Sequence, residues 1–152
     1  MSAFEESNQP PAATYAEGNP PPGFEPMVRA SGFVRQCTGM YRDSERGILG
    51  ARIRPQHLNP LNIAHGGFLA TLIDTAFGWA VIQATGSERP MATVSLTIDY
   101  LSPARPGDWI EAHVEVHKAG RTLSHASLSL MDGERLIARG KAIFITSGAS
   151  GL

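Results

Sequence analysis

Between Gly66 and Gly86 the apolar residues Leu69, Leu72, Ile73, Ala76, Phe77, Ala80 and Val81 recur at i, i+3, i+4 and i+7, the spacing of one face of an α-helix. This is the only long helical pattern in the chain, so its stripe has to be buried against strands. Residues 33–42 and 47–54 read as two strands joined by a turn at Asp43 to Gly47. Leu49, Ala51 and Ile53 alternate with Gly50, Arg52 and Arg54 in the second. After the helix, Val94, Leu96, Ile98 and Tyr100 alternate with Thr93, Ser95, Thr97 and Asp99, and Ile110, Ala112, Val114 and Val116 alternate with Trp109, Glu111, His113, Glu115 and His117. Two more strands, about 122–131 and 135–146, are set off by Ala119-Gly120 and Asp132-Gly133 and close a meander. The expected class is α+β, with one helix laid on one face of an antiparallel sheet.

A chain of 152 residues suffices for one core. Residues 1–26 hold most of the prolines and few branched apolar residues, so they are expected to form an extended or disordered arm before a single domain over 27–148. With 13 basic against 14 acidic residues there is no polyanion-binding bias, and nucleic acid is not an expected partner. Cys37 is the only cysteine, so no intrachain disulfide forms, and no Cys/His cluster has the spacing of a structural metal site. The start lacks the basic and apolar regions of a secretion signal. Thr71, Asp74 and Thr75 interrupt the most apolar stretch, which argues against a membrane span. The expectation is a soluble, cytoplasmic protein.

One sheet covered by one helix leaves sheet edges and a helix flank unpartnered, which favours self-association. On the helical wheel Asp74 lies beside the apolar stripe, on a flank with Gly67, Ala70 and Gly78. Small neighbours admit a ligand or a second backbone, although a helix aspartate facing water fits the same pattern. The preceding loop, His57 to Gly67, delivers Gly66 and Gly67 to the helix start. Uncovered N–H groups and the positive end of the dipole could there receive a carbonyl oxygen gaining negative charge, or the glycines could serve only a tight turn.

Asn59, His65-Gly66-Gly67 and Asp74, followed by Thr93-Val94-Ser95-Leu96-Thr97-Ile98-Asp99-Tyr100-Leu101-Ser102-Pro103-Ala104 and Gly107, resemble the phenylacetate-pathway (PaaI-like) branch of the hotdog acyl-CoA thioesterases from about Gly32 to Thr146. The resemblance implies a hotdog fold, one long central helix wrapped by a curved antiparallel sheet, assembled as a homodimer or homotetramer. It implies acyl-CoA as substrate and no cofactor. It makes Asp74 the general base or nucleophile, the Gly66 N–H the group polarising the thioester carbonyl, Asn59 the group orienting carbonyl or water, and Thr93 a helper. Where relatives often have Gly three residues after the Asn, this chain has Asn62, which also tolerates left-handed backbone. Eight residues separate Gly66 from Asp74, about 12 Å of helix rise. One chain cannot bring both to one carbon, so antiparallel helices across a dimer would build two shared sites.

His65 reads as a loop brace or as a base, with support for the helix start the default, and Gly67 as its companion. His113, His117 and His125 with Glu111 and Glu115 raise metal binding as an alternative, but alternating Glu and His opposite an apolar face also describes a solvated strand, and they are read as solvent-facing or interface groups with no metal expected. Lys118, Arg121, Arg139 and Lys141, with Arg105, lie in or beside strands or turns where they could meet coenzyme A phosphates, although scattered Arg and Lys more often only solvate a surface. A non-catalytic acyl-CoA-binding protein is the competing reading. A hotdog hydratase or dehydratase ranks last, because the longer Pro/Gly-rich His motif is missing.

Overall fold

The computed structural model describes residues 18–27, 32–37, 39–86 and 90–146. Strand β1 (Glu25–Pro26) and the short helix α1 (Gly32–Cys37) precede the hairpin of β2 (Met40–Asp43) and β3 (Ile48–Arg52). Helix α2 (Gly66–Thr85) follows, then β4 (Met91–Tyr100), β5 (Trp109–Ala119), β6 (Leu123–Asp132) and β7 (Arg135–Thr146). The strands form one antiparallel sheet in the order β1-β2-β3-β5-β6-β7-β4, which leaves β4 as an edge.

Helix α2 ends where the sequence predicts, at Gly86 in left-handed backbone. It buries Phe68, Leu69, Leu72, Ile73, Ala76, Phe77 and Val81 in one cluster with Leu49, Ile110, Leu130 and Ile137. Gly140 on β7 sets the distance of approach: a Cβ there would stand 3.2 Å from Phe77 Cε2 and 3.3 Å from Ile73 Cγ2. Length and mean hydropathy would let α2 cross a membrane. Its apolar stripe is instead spent on the sheet.

Two sequence expectations need correction. Residues 33–42 are not one strand: Gly32–Cys37 is helical, and only Met40–Asp43 is extended. Val34 and Cys37, three residues apart, both pack against the core, and Gly39 at φ 79° breaks the chain between the two elements. Short apolar runs fit both periods, and here the helical one wins. The alternation in β4 is also interrupted. A bulge between Thr93 and Ser95 turns Thr93 toward α2 and leaves Val94 57% exposed.

Of the expected arm, residues 1–17 lie outside the described residues. Residues 18–26 bend through a turn in which Phe24 N donates to Pro21 O (3.3 Å), with Gly18, Asn19 and Gly23 at positive φ, and are fastened to the sheet face opposite α2. Phe24 meets Trp109 edge-on at 4.9 Å between centroids, within a small cluster with Tyr41 and Ile48. The Arg52 guanidinium donates to Gly18 O (3.2 Å), Asn19 O (2.7 Å) and Gly107 O (3.0 Å). The sheet therefore begins at Glu25, inside the segment expected as an arm.

Candidate active site

The loop before α2 is built by its own hydrogen bonds. Asn59 Oδ1 accepts from Leu61 N (2.9 Å) and Ile63 N (3.3 Å), and Asn62 takes the left-handed conformation, φ 59°. His65 N donates to His57 O (2.7 Å), while the His57 ring stacks on Phe68 at 3.8 Å. The Asn59 carbonyl oxygen is thus occupied within the loop, and its Nδ2 hydrogens are what the amide can offer a ligand.

An α-helix begins with N–H groups that lack partners inside the helix. Here His65 is the N-cap: its Nδ1 accepts from Gly67 N at 2.8 Å, and its carbonyl accepts from Phe68 N (3.0 Å) and Leu69 N (3.1 Å). The Gly66 N–H has no acceptor among the described residues. A bare donor at the positive end of a twenty-residue helix is placed to stabilise a developing oxyanion. It borders a cavity of about 440 Å³ whose lining includes Asn59, Ile63, Gly66, Leu69, Tyr100 and Leu101. His65 braces and caps, with Nδ1 committed as an acceptor.

Two turns further along, Asp74 Oδ1 accepts from Thr93 Oγ1 at 2.7 Å. The β4 bulge makes this contact, because strict alternation would send Thr93 to the opposite face with Thr97. Tyr100, a residue the sequence reading did not single out, donates its hydroxyl to Gly66 O at 2.7 Å. Partial burial pushes its phenol above the ordinary value of 10.0, so it is a neutral donor at physiological pH. Its only sequence signal was its place as the last inward position of β4. One strand thus touches the helix at both predicted functional points, which eight residues of helix hold about 12 Å apart.

The cations do not gather at this site within one chain. Arg139 and Lys141 line a cavity on the opposite face of the sheet with His113, Glu115, His117 and Ser127. Arg121 sits near Gly86, at the far end of α2, and Lys118 is exposed near the end of β5. The histidines are engaged by their neighbours: His113 Nε2 lies 3.2 Å from Glu111 Oε2, and His117 Nε2 lies 2.7 Å from Ser127 Oγ. Within one chain His113 and His117 are exposed on this face.

A single long helix packed on an antiparallel sheet is the hotdog architecture of thioester hydrolases. The chain belongs to the Thioesterase superfamily, whose family model matches residues 61–138. Protein PA0474 of Pseudomonas aeruginosa is 38% identical over 129 residues, which cover 83% of this chain and 96% of that protein. Acyl-coenzyme A thioesterase 13 of Mus musculus is 33% identical over 120 residues, 76% of this chain and 85% of that protein. The solved structure of the E. coli PaaI protein from the phenylacetic acid degradation operon shares the fold, with a TM-score of 0.61 and 24% identity over 66% of this chain and 72% of that one.

Proposed function

We propose that this protein hydrolyses acyl-CoA thioesters, aryl-acyl or medium-chain, to the free acid and CoA, in sites shared between two copies of the chain. The observation that carries the reading is the unpartnered Gly66 N–H opening onto a partly apolar cavity. The thioester oxygen accepts from this N–H, and Asn59 Nδ2 is near enough in the lining to orient the carbonyl or the water. Asp74 of the second copy takes a proton from water as its oxygen attacks the carbonyl carbon, or attacks that carbon itself to give an anhydride that water then opens. Either route ends with the C–S bond broken, the sulfur leaving as CoA thiol and the acid released. The amide and the helix dipole stabilise the tetrahedral oxyanion.

The shared site is supported by the separation of Gly66 from Asp74 along one rigid helix. Two features favour a homodimer, alone or doubled into a tetramer. β4 presents an unpaired edge with Val94 exposed, and an added Cβ at Gly78, on the Asp74 flank, would meet nothing within 4 Å. Thiol release should be measured with aryl-, hydroxyaryl-, short- and long-chain acyl-CoAs. Release from none of them would overturn the enzyme reading and leave an acyl-CoA-binding protein. Mixing Asp74→Asn chains with Gly66→Pro chains, which lack the donor N–H, tests the sharing. Each verified hybrid dimer keeps one wild-type site, so up to roughly a quarter of normal activity should return on random exchange. Verified hybrids without activity would overturn the cross-subunit arrangement.

A further inference from the structure

The first turn of α2 carries two consecutive residues without side chains, Gly66 and Gly67, at the point where an amide has to be held still. Glycine backbone is the loosest available, so the aim of the Gly66 N–H depends on what pins the peptides on either side of it. The peptide that carries it is held by Phe68 N (3.0 Å) and Leu69 N (3.1 Å) on His65 O, and the loop adds His65 N to His57 O at 2.7 Å and Gly67 N to His65 Nδ1 at 2.8 Å. The last two move with that loop. The restraint from outside the loop and helix comes from the sheet: the Tyr100 hydroxyl donates to Gly66 O at 2.7 Å across 34 positions of sequence, and its ring would lie 3.4 Å from a Cβ at Gly66.

We propose that Tyr100 is a positioning residue for the oxyanion-binding amide, fixing to β4 the Gly66–Gly67 peptide that follows it, so that the Gly66 N–H on the adjoining peptide keeps its aim when a carbonyl arrives. Preorganisation of this kind raises turnover rather than affinity, because the donor is needed most as charge develops on oxygen. The consequence for the pair is specific. The same strand that fixes Gly66 through Tyr100 fixes Asp74 through Thr93, and in the proposed dimer those two groups serve different sites. β4 of one chain therefore aligns the donor of one site and the carboxylate of the other. This inference rests on the thioesterase reading for its kinetics but not for its structural part.

The test is Tyr100→Phe, which keeps the ring and removes only the hydroxyl. With a medium-chain acyl-CoA, kcat should fall about tenfold while KM stays within about twofold, the pattern of a lost transition-state interaction. A CoA thioether ketone, with a methylene between sulfur and carbonyl, reports the donor directly: its carbonyl stretch, lowered when bound to wild type, should move back toward the free value in the variant. In the ligand-free proteins the Gly67 amide, which shares a peptide with Gly66 O and donates to His65 Nδ1 at 2.8 Å, should exchange with solvent faster in the variant. Unchanged kcat, or a change confined to KM, would overturn the kinetic role. Loss of the alkaline limb of the pH profile with Gly67 exchange unchanged would make the phenol an acid-base group and overturn positioning. If wild type neither hydrolyses acyl-CoA nor binds the ketone, the thioesterase reading fails. Gly67 exchange alone then decides whether Tyr100 holds the helix start: faster in the variant supports it, unchanged overturns it.

Discussion

Asp43 and Asp74 are the same residue in two opposite conditions. Asp43, in the turn between β2 and β3, is buried and accepts from Arg46 N (3.0 Å), Arg46 Nε (2.7 Å) and Glu45 N (3.1 Å). The Arg46 backbone N–H, and next its guanidinium, hold that carboxyl below the ordinary aspartate value. Asp74, half-buried on the flank of α2, accepts from the Thr93 hydroxyl and makes no ion pair among the described residues. Sequence position does not separate them, since both lie near small or turn-forming residues. What separates them is how much acceptor capacity the fold has already used. A carboxylate saturated by donors and a cation stabilises a turn. One steadied by a single hydroxyl keeps lone pairs for a proton or a carbonyl carbon.

The strongest way to break this comparison is to exchange the two losses. Asp74→Asn should lower turnover by at least about 100-fold, the scale of a lost general base, with the melting temperature preserved. Asp43→Asn should do the reverse, lowering the melting temperature while activity per folded molecule stays at the wild-type level. An active Asp74→Asn enzyme would remove the distinction altogether. Gly140→Val sharpens it from the packing side. A branched side chain there meets Phe77 and Ile73, so stability should fall by about 1–3 kcal/mol in chemical denaturation. The helix carrying Asp74 would be displaced with it, lowering turnover as well. Thr93→Val, nearly isosteric, removes only the hydroxyl on Asp74 and should cost about tenfold in kcat, the effect of one hydrogen bond. No change in kcat would mean that Asp74 needs no partner on β4.

Much of this was legible before any coordinates. The helix limits followed from period and from the glycines at its two ends, and β7 matched its expected span of 135–146. Asn62 was read as compatible with left-handed backbone, which it adopts at φ 59°. Two features were not legible, and a third was legible in strand parity but went unused. Alternation put Thr93 outward, and only the bulge, a matter of register between β4 and β7, reverses it. Tyr100 looked like one more inward apolar residue, because a contact across 34 positions leaves no local pattern. Arg139 and Lys141 were grouped with the other cations by charge, whereas strand parity assigns them to the face opposite α2. Local spacing records which elements form. It does not record which side of a sheet a shifted register presents.

The smallest effect concerns pH and the fully engaged aspartate. A carboxyl whose folded-state value lies below its unfolded value of 3.8 contributes stability that is complete above that pH, and the contribution is lost as pH falls from there through the folded-state value. Protonation removes the charge that the Arg46 N–H and guanidinium are arranged to meet. The melting temperatures of wild type and Asp43→Asn should therefore differ by a constant amount at neutral pH and converge as the solution is acidified below about pH 4. Arg46→Gln, which keeps the backbone donor and removes the guanidinium, should show a smaller convergence, because the larger lowering comes from the backbone N–H. Denaturation curves recorded from about pH 7 to about pH 3 at fixed ionic strength would settle the matter. Wild type and Asp43→Asn remaining parallel to the acid end would mean that the turn is held by chain geometry and that Asp43, like Asp74, has capacity to spare.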